Sequence, residues 1–240
     1  MGAAQKPSYS RFLETLGSVL VFSYPAFNSL TKFAPCVHHV GPIREPVESA
    51  PWPRRHPDRP FILVSLSTSF QNQYPVLKRI SEALSSLPVE ALITTGPNMP
   101  VQQFSAGGGV ELRSFVPHDR VLAFTDLLIT HAGHGTVTAG AGAGVPMLCM
   151  PMGRDQPFVA SRVEALGLGR ALSPEASLSE IAKTVMEMAG DSRLRASSRA
   201  FAARVSRFGD LETCGGTCGA DLLRKARRRP SDDHRAQRAT

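Results

Sequence analysis

A chain of 240 residues with 42% hydrophobic content can bury one good-sized core or two modest ones, which excludes the collagenous and disordered classes. No apolar run approaches the ~18 residues of a membrane span, and the opening "MGAAQKPSYSRFLETLGSVLVFSYP" has Glu14 and Gly17 where a signal peptide needs an unbroken apolar centre, so a cytoplasmic protein is expected. The formal charge of +7 is uneven: from Arg224 onward, "RKARRRPSDDHRAQRAT" holds seven basic and two acidic residues, so the folded part is close to neutral and no nucleic-acid surface is expected.

In chain order, residues 10–16 read as a helix, followed by two short extended pieces, "VLVFS" and "CVHHVGP". Residues 1–43 do not amount to a domain. Six prolines between Pro42 and Pro60, with Trp52 and mixed charges, give residues 44–60 the composition of a linker crossing a surface. From Phe61 the pattern becomes regular, with short β-branched or Leu-rich runs ("FILVSL", "EALITT", "VELRSFV", "LLIT", "VPMLCM" and "GRAL") alternating with helical periods at 76–86, 120–124, from about 136, 158–166, 178–189 and 193–208. Such alternation predicts an α/β fold, a doubly wound, Rossmann-like parallel sheet over 61–208, with a basic tail at 209–240. The cysteines Cys36, Cys149, Cys214 and Cys218 are scattered, and "CGGTC" has no partner pair, so neither a disulfide framework nor a metal site is expected.

Open parallel sheets bind ligands beyond the carboxyl ends of their strands, which directs attention to the strand exits. "LLIT" exits into "HAGHGT", where Gly133 and Gly135 allow a sharp turn and a close backbone approach, and Thr136 is placed to cap the next helix. A helix start with free N–H groups suits a phosphate, and His131 adds an imidazole donor. "VPMLCM" exits into "PMGRDQP", where Asp155 and Gln156 pair a carboxylate with an amide, a combination that grips a vicinal diol or forms an ordinary Asx-type turn. "FILVSL" exits into Ser67, Thr68 and Ser69, whose hydroxyls either meet a diphosphate or ribose or close a turn. Taken singly these are weak signals, but together they suggest one ligand containing phosphate and a sugar.

The segments "VSLSTSFQNQ", "FVPHDRVLAFTDLLITHAGHGT", "GVPMLCMPMGRDQP" and "RVEALGLGRAL" resemble, in this order, the donor-binding half of the GT-B glycosyltransferases. Within that fold they are similar to the inverting, UDP- or dTDP-sugar-dependent family that includes bacterial macrolide and enediyne transferases. The similarity reaches upstream through "HHVGPIREP" and "PWPRRHPDRP", so residues 1–43 read as the end of that family's amino-terminal acceptor domain. The resemblance implies that His131, the catalytic candidate, bonds a diphosphate oxygen, with Ser67, Thr68, Gly133, Gly135 and Thr136 around the same group. It also implies that the Val116 backbone meets the base and that Asp155 and Gln156 hold the sugar. The function implied is metal-independent, inverting transfer of a hexose or deoxyhexose to a small natural-product-like acceptor, as in antibiotic biosynthesis, with the sugar nucleotide as co-substrate and no further cofactor. This sequence has Ala139 where the family usually has an acidic, ribose-binding residue, and Val159 where it often has asparagine. It offers no counterpart of the family's general base, so the chain alone is expected to be inactive. Two alternatives stand beside this reading: a non-catalytic nucleotide-sugar binding subunit requiring an acceptor-domain partner, and a nucleotide-sugar epimerase.

Overall fold

The computed structural model describes residues 19–28, 36–42, 52–66, 72–104, 107–206 and 208. The expected helix at 10–16, Ser67 to Ser69, the "CGGTC" pair and the basic tail lie outside the described residues. Two compact units form, one from 19–24, 36–42 and 208, the other from 25–28 and 52–206. In the smaller, β1 (Val19–Val21) and β2 (Val37–His39) pair in parallel, and Tyr24 is buried with its ring edge-on to Phe208 at 6.1 Å.

The larger unit is built on β3 (Phe61–Ser65), β4 (Glu90–Thr94), β5 (Val110–Arg113), β6 (Leu127–Thr130), β7 (Met147–Cys149) and β8 (Gly169–Ala171). These strands form one all-parallel sheet in the order β5-β4-β3-β6-β7-β8, the expected doubly wound arrangement. β3, β4, β6 and β7 are buried along their whole length, as continuous apolar runs covered on both faces must be. On one face Ile62, Val64, Ile93, Leu127 and Ile129 pack with Leu77, Ile80 and Leu84 of α1 (Tyr74–Ser85) and with Ile181, Val185 and Met188 of α5 (Leu178–Gly190). A short α2 (Asp119–Leu122) precedes β6. α3 (His134–Ala143), α4 (Gln156–Ala165) and α6 (Ser192–Val205) complete the unit. No helix among the described residues is long and apolar enough to cross a membrane.

α1 and α4 begin two residues earlier than the sequence pattern suggests, because Pro75 and Pro157 each sit in the first turn, where a missing N–H costs nothing. In α3 the glycines work against the helix by on the order of 1 kcal/mol each. Close packing accompanies this at Gly140: a Cβ there would lie 2.8 Å from Leu128 Cδ2 and 3.2 Å from Met147 Sδ, so a larger residue would have to push the ends of these two side chains aside.

The chain enters the sheet through a carboxylate clamp. Buried Glu90, at the start of β4, accepts the backbone N–H of Arg55 at 2.8 Å and of His56 at 2.9 Å, one on each oxygen, with Arg54 Nε 3.6 Å away. The Arg54 guanidinium also lies over the Phe61 ring, 5.4 Å from its centroid. Charge-assisted bonds of this kind fix the linker's end against the strand it feeds.

Candidate functional site

In the observed strand order the connections reverse direction between β3 and β6, and a crevice opens at their carboxyl ends. A cleft of about 270 Å³ lies there, lined by Ser65 and Leu66 at the end of β3, Thr94 and Gly96 at the end of β4, Ser114, Phe115, Val116 and His118 after β5, and His131 with residues 133–136 after β6.

The turn from β6 into α3 is shaped for close approach. Ala132, fully buried, takes a left-handed φ of 66°, a conformation costing a non-glycine residue on the order of 1 kcal/mol and held only where the surroundings dictate it. Gly133 is the N-cap of α3 and has no side chain to bond the helix's first N–H groups; the first intrahelical bond of this turn runs from Val137 N to Gly133 O at 2.9 Å. The N–H groups of His134, Gly135 and Thr136 are thus the open start of a helix, and all three residues line the cleft. Thr136 is therefore not a cap, as its hydroxyl chemistry suggested: the helix begins two residues earlier, leaving Thr136 inside the first turn.

His131 is buried, at 8% exposure, with its ring against Gly133: a Cβ on Gly133 would stand 2.3 Å from Nε2 and 2.6 Å from Cε1. Its Nδ1 is buried and makes no hydrogen bond of ordinary geometry. Burial pushes the His131 pKa below 6.5; the Ser65 carbonyl and the Asp155 charge work in the opposite direction, and Arg154 adds to the lowering. His134 is shifted down by burial and partly restored by Asp155, and His118 is shifted down by burial against Asp119. Three imidazoles, mainly uncharged at neutral pH, therefore surround an uncapped helix start.

Of the residues singled out from the sequence, His131, Gly133, Gly135, Thr136 and Val116 line this one cleft. Asp155, exposed at the exit of β7, is not part of its lining, but its charge reaches both His131 and His134, and its carboxylate caps no helix N–H. Gln156 is 2% exposed, and its Oε1 accepts the Met152 N–H at 2.7 Å, so its amide oxygen shapes the loop that presents Asp155. Ser67 and Thr68 cannot be placed, lying outside the described residues. Sequence reasoning missed His118, His134 and Phe115 as individuals. Phe115, 74% exposed in the cleft lining, was read inside a strand running to Val116, whereas that strand stops at Arg113; the polar pair Arg113-Ser114, followed by Phe-Val-Pro, is the signal that the edge strand has ended.

An anion seated among neutral histidines favours their charged forms, so affinity for UDP-glucose, whose diphosphate diester does not titrate here, should rise as the pH falls from 8 to 6. Over the same range the unliganded fold should lose stability: unfolded histidine takes up a proton near 6.5, while these depressed groups resist until lower pH. The rise in Tm caused by UDP-glucose should therefore be larger at pH 6 than at pH 8; an equal or smaller rise would contradict the placement of the anion.

Comparison with known proteins agrees with this architecture. The family model described as erythromycin biosynthesis protein CIII-like, C-terminal domain, matches residues 78–207. A zeaxanthin glucosyltransferase from Pseudescherichia vulneris is 34% identical over 206 residues, covering 84% of this chain and 48% of that protein. A demethyllactenocin mycarosyltransferase from Streptomyces fradiae is 29% identical over 161 residues, covering 66% of this chain and 35% of that protein. Among solved structures, a calicheamicin glycosyltransferase superposes with a TM-score of 0.72 at 28% identity, covering 87% of this chain and 53% of that one. The chain thus spans about half the length, or less, of these relatives. Because the family match runs from within α1 to just past the end of α6 and takes in the cleft's helix start, the chain belongs to the erythromycin biosynthesis protein CIII-like C-terminal domain family, the carboxyl-terminal half of a GT-B glycosyltransferase fold.

Proposed function

We propose that this chain is the donor-binding half of an inverting, metal-independent glycosyltransferase that takes a hexose or deoxyhexose from a UDP- or dTDP-sugar for transfer to a small natural-product-like acceptor. The observation that carries this reading is the uncapped start of α3 with buried His131 beside it, at the point where strand order reverses, and with Asp155 within reach of the same charge field. In this reading the diphosphate sits on the N–H groups of the first turn, with His131, Gly133, Gly135 and Thr136 around it; the family resemblance adds Ser67 and Thr68 as hydroxyl donors to the same group. The base lies along Val116, and the sugar extends toward Asp155 and Gln156.

The chemistry follows from where charge develops. As the bond between the anomeric carbon and the diphosphate oxygen lengthens, the sugar becomes oxocarbenium-like and negative charge accumulates on the departing phosphate. Preorganised N–H donors and an imidazole stabilise that charge more in the transition state than in the ground state. Neither Asp155 nor Gln156 needs to move a proton. The general base and acceptor pocket belong to an acceptor-binding part, and the 240-residue chain alone is expected to bind donor without turnover.

A thermal-shift screen of UDP-, dTDP- and GDP-sugars tests the reading, since a ligand that binds only the folded chain raises its Tm. Stabilisation by none of them would remove it. A second prediction separates sugar from nucleotide: Asp155→Ala should leave UDP affinity within about a factor of two, yet weaken a stabilising UDP-sugar roughly tenfold. Equal losses for both ligands would mean that the carboxylate does not hold the sugar.

A further inference from the structure

The segment preceding the linker contributes to the larger unit at a place the family match does not reach. Residues Pro25–Phe27 form one 3-10 turn, with Asn28 N–H donating to Pro25 O at 3.0 Å. Arg162, from α4, donates through Nη2 to Ala26 O at 2.8 Å and so ties the turn to the helix that follows the Asp155 loop. Phe27, 4% exposed, is held between two rings: it meets Phe201 of α6 at 6.0 Å and 76°, and His134 at 6.2 Å and 78°. Edge-to-face geometry of this kind restricts the rotation of both partners.

His134 is the first residue of α3, and its half-buried ring lies at the cleft while sensing the carboxylate of Asp155. Phe27 thus packs against an imidazole that also lines the cleft. We propose that Phe27 is a positioning residue for His134, holding its ring edge toward the anion seat so that the turn at 25–27 is a working part of the donor site. This inference rests on the donor-site reading of the cleft. It predicts that His134 bonds an oxygen near the junction of phosphate and sugar, and that the ring is already oriented before ligand arrives.

The test uses the full 240-residue chain with histidine side chains followed by NMR and with UDP-glucose and dTDP-glucose as probes. In Phe27→Ala the His134 titration midpoint should move up toward the ordinary value, while those of His131 and His118 stay in place. In Phe27→Leu, which keeps an apolar filler beside Phe201, affinity for the probe that binds should fall roughly 3- to 10-fold. In a His134→Asn background the same Phe27→Leu change should cause no further loss. If Phe27→Ala does not fold, the Phe27→Leu cycle decides. Losses that multiply in the double variant, or a His134 midpoint unmoved in folded Phe27→Ala, overturn the proposal. If the wild-type chain binds neither probe, the donor reading fails, and the His134 midpoint alone then decides whether Phe27 positions the ring.

Discussion

Gly133→Ala is expected to destabilise the fold by about 1–3 kcal/mol and to weaken UDP binding on the order of 100-fold. The backbone at 133 sits at φ −64° and ψ 134°, which alanine adopts freely, so the effect comes from the new methyl alone. That methyl would lie 2.3 Å from Nε2 of an imidazole enclosed at 8% exposure. The ring must tilt into the cleft, where it occupies the anion's place, or the turn must open, which spreads the N–H groups of the first turn. Gly135→Ala is the control: its added Cβ meets no heavy atom within 4 Å, so the fold should keep its stability. Urea unfolding and titration calorimetry on the two variants would decide, and a Gly133→Ala protein that binds UDP like the wild type would refute the packing argument.

His131→Ala should cost less in stability and more selectively in binding. The imidazole is buried beside the helix start, and under the proposed donor reading its loss removes a charge-assisted bond worth about 1.5–3 kcal/mol, or roughly 10- to 150-fold in Kd for UDP. The proton uptake that accompanies binding should shrink as well, which calorimetry in buffers of different ionisation enthalpy measures. Unchanged affinity with unchanged proton uptake would place the diphosphate elsewhere.

The strands of the sheet and their exits were legible because a parallel strand covered on both faces leaves an unbroken apolar run, as "FILVSL" and "LLIT" do. His131, Gly133, Gly135 and Thr136 were singled out as the exit of "LLIT" together with the family resemblance, and they do occupy the exit of β6, next to the point of reversal. What escaped depends on contacts distant in sequence or on geometry finer than composition. Nothing local marks Phe27 as a neighbour of His134, 107 positions later. Nor does an Asp-Gln pair reveal that Gln156 turns inward to bind Met152 N–H while Asp155 remains outside. The start of α3 was misplaced because Gly133 caps it by backbone conformation, whereas a hydroxyl at Thr136 invites the wrong boundary.

The Glu90 clamp has a practical consequence for anyone dissecting this protein. The amides it grips belong to Arg55 and His56, upstream of β3, so a minimal fragment cut at Phe61 would expose a carboxylate whose natural counterparts had been discarded. Soluble expression of the larger unit should therefore improve abruptly, rather than gradually, once the cloning boundary is moved ahead of Arg54.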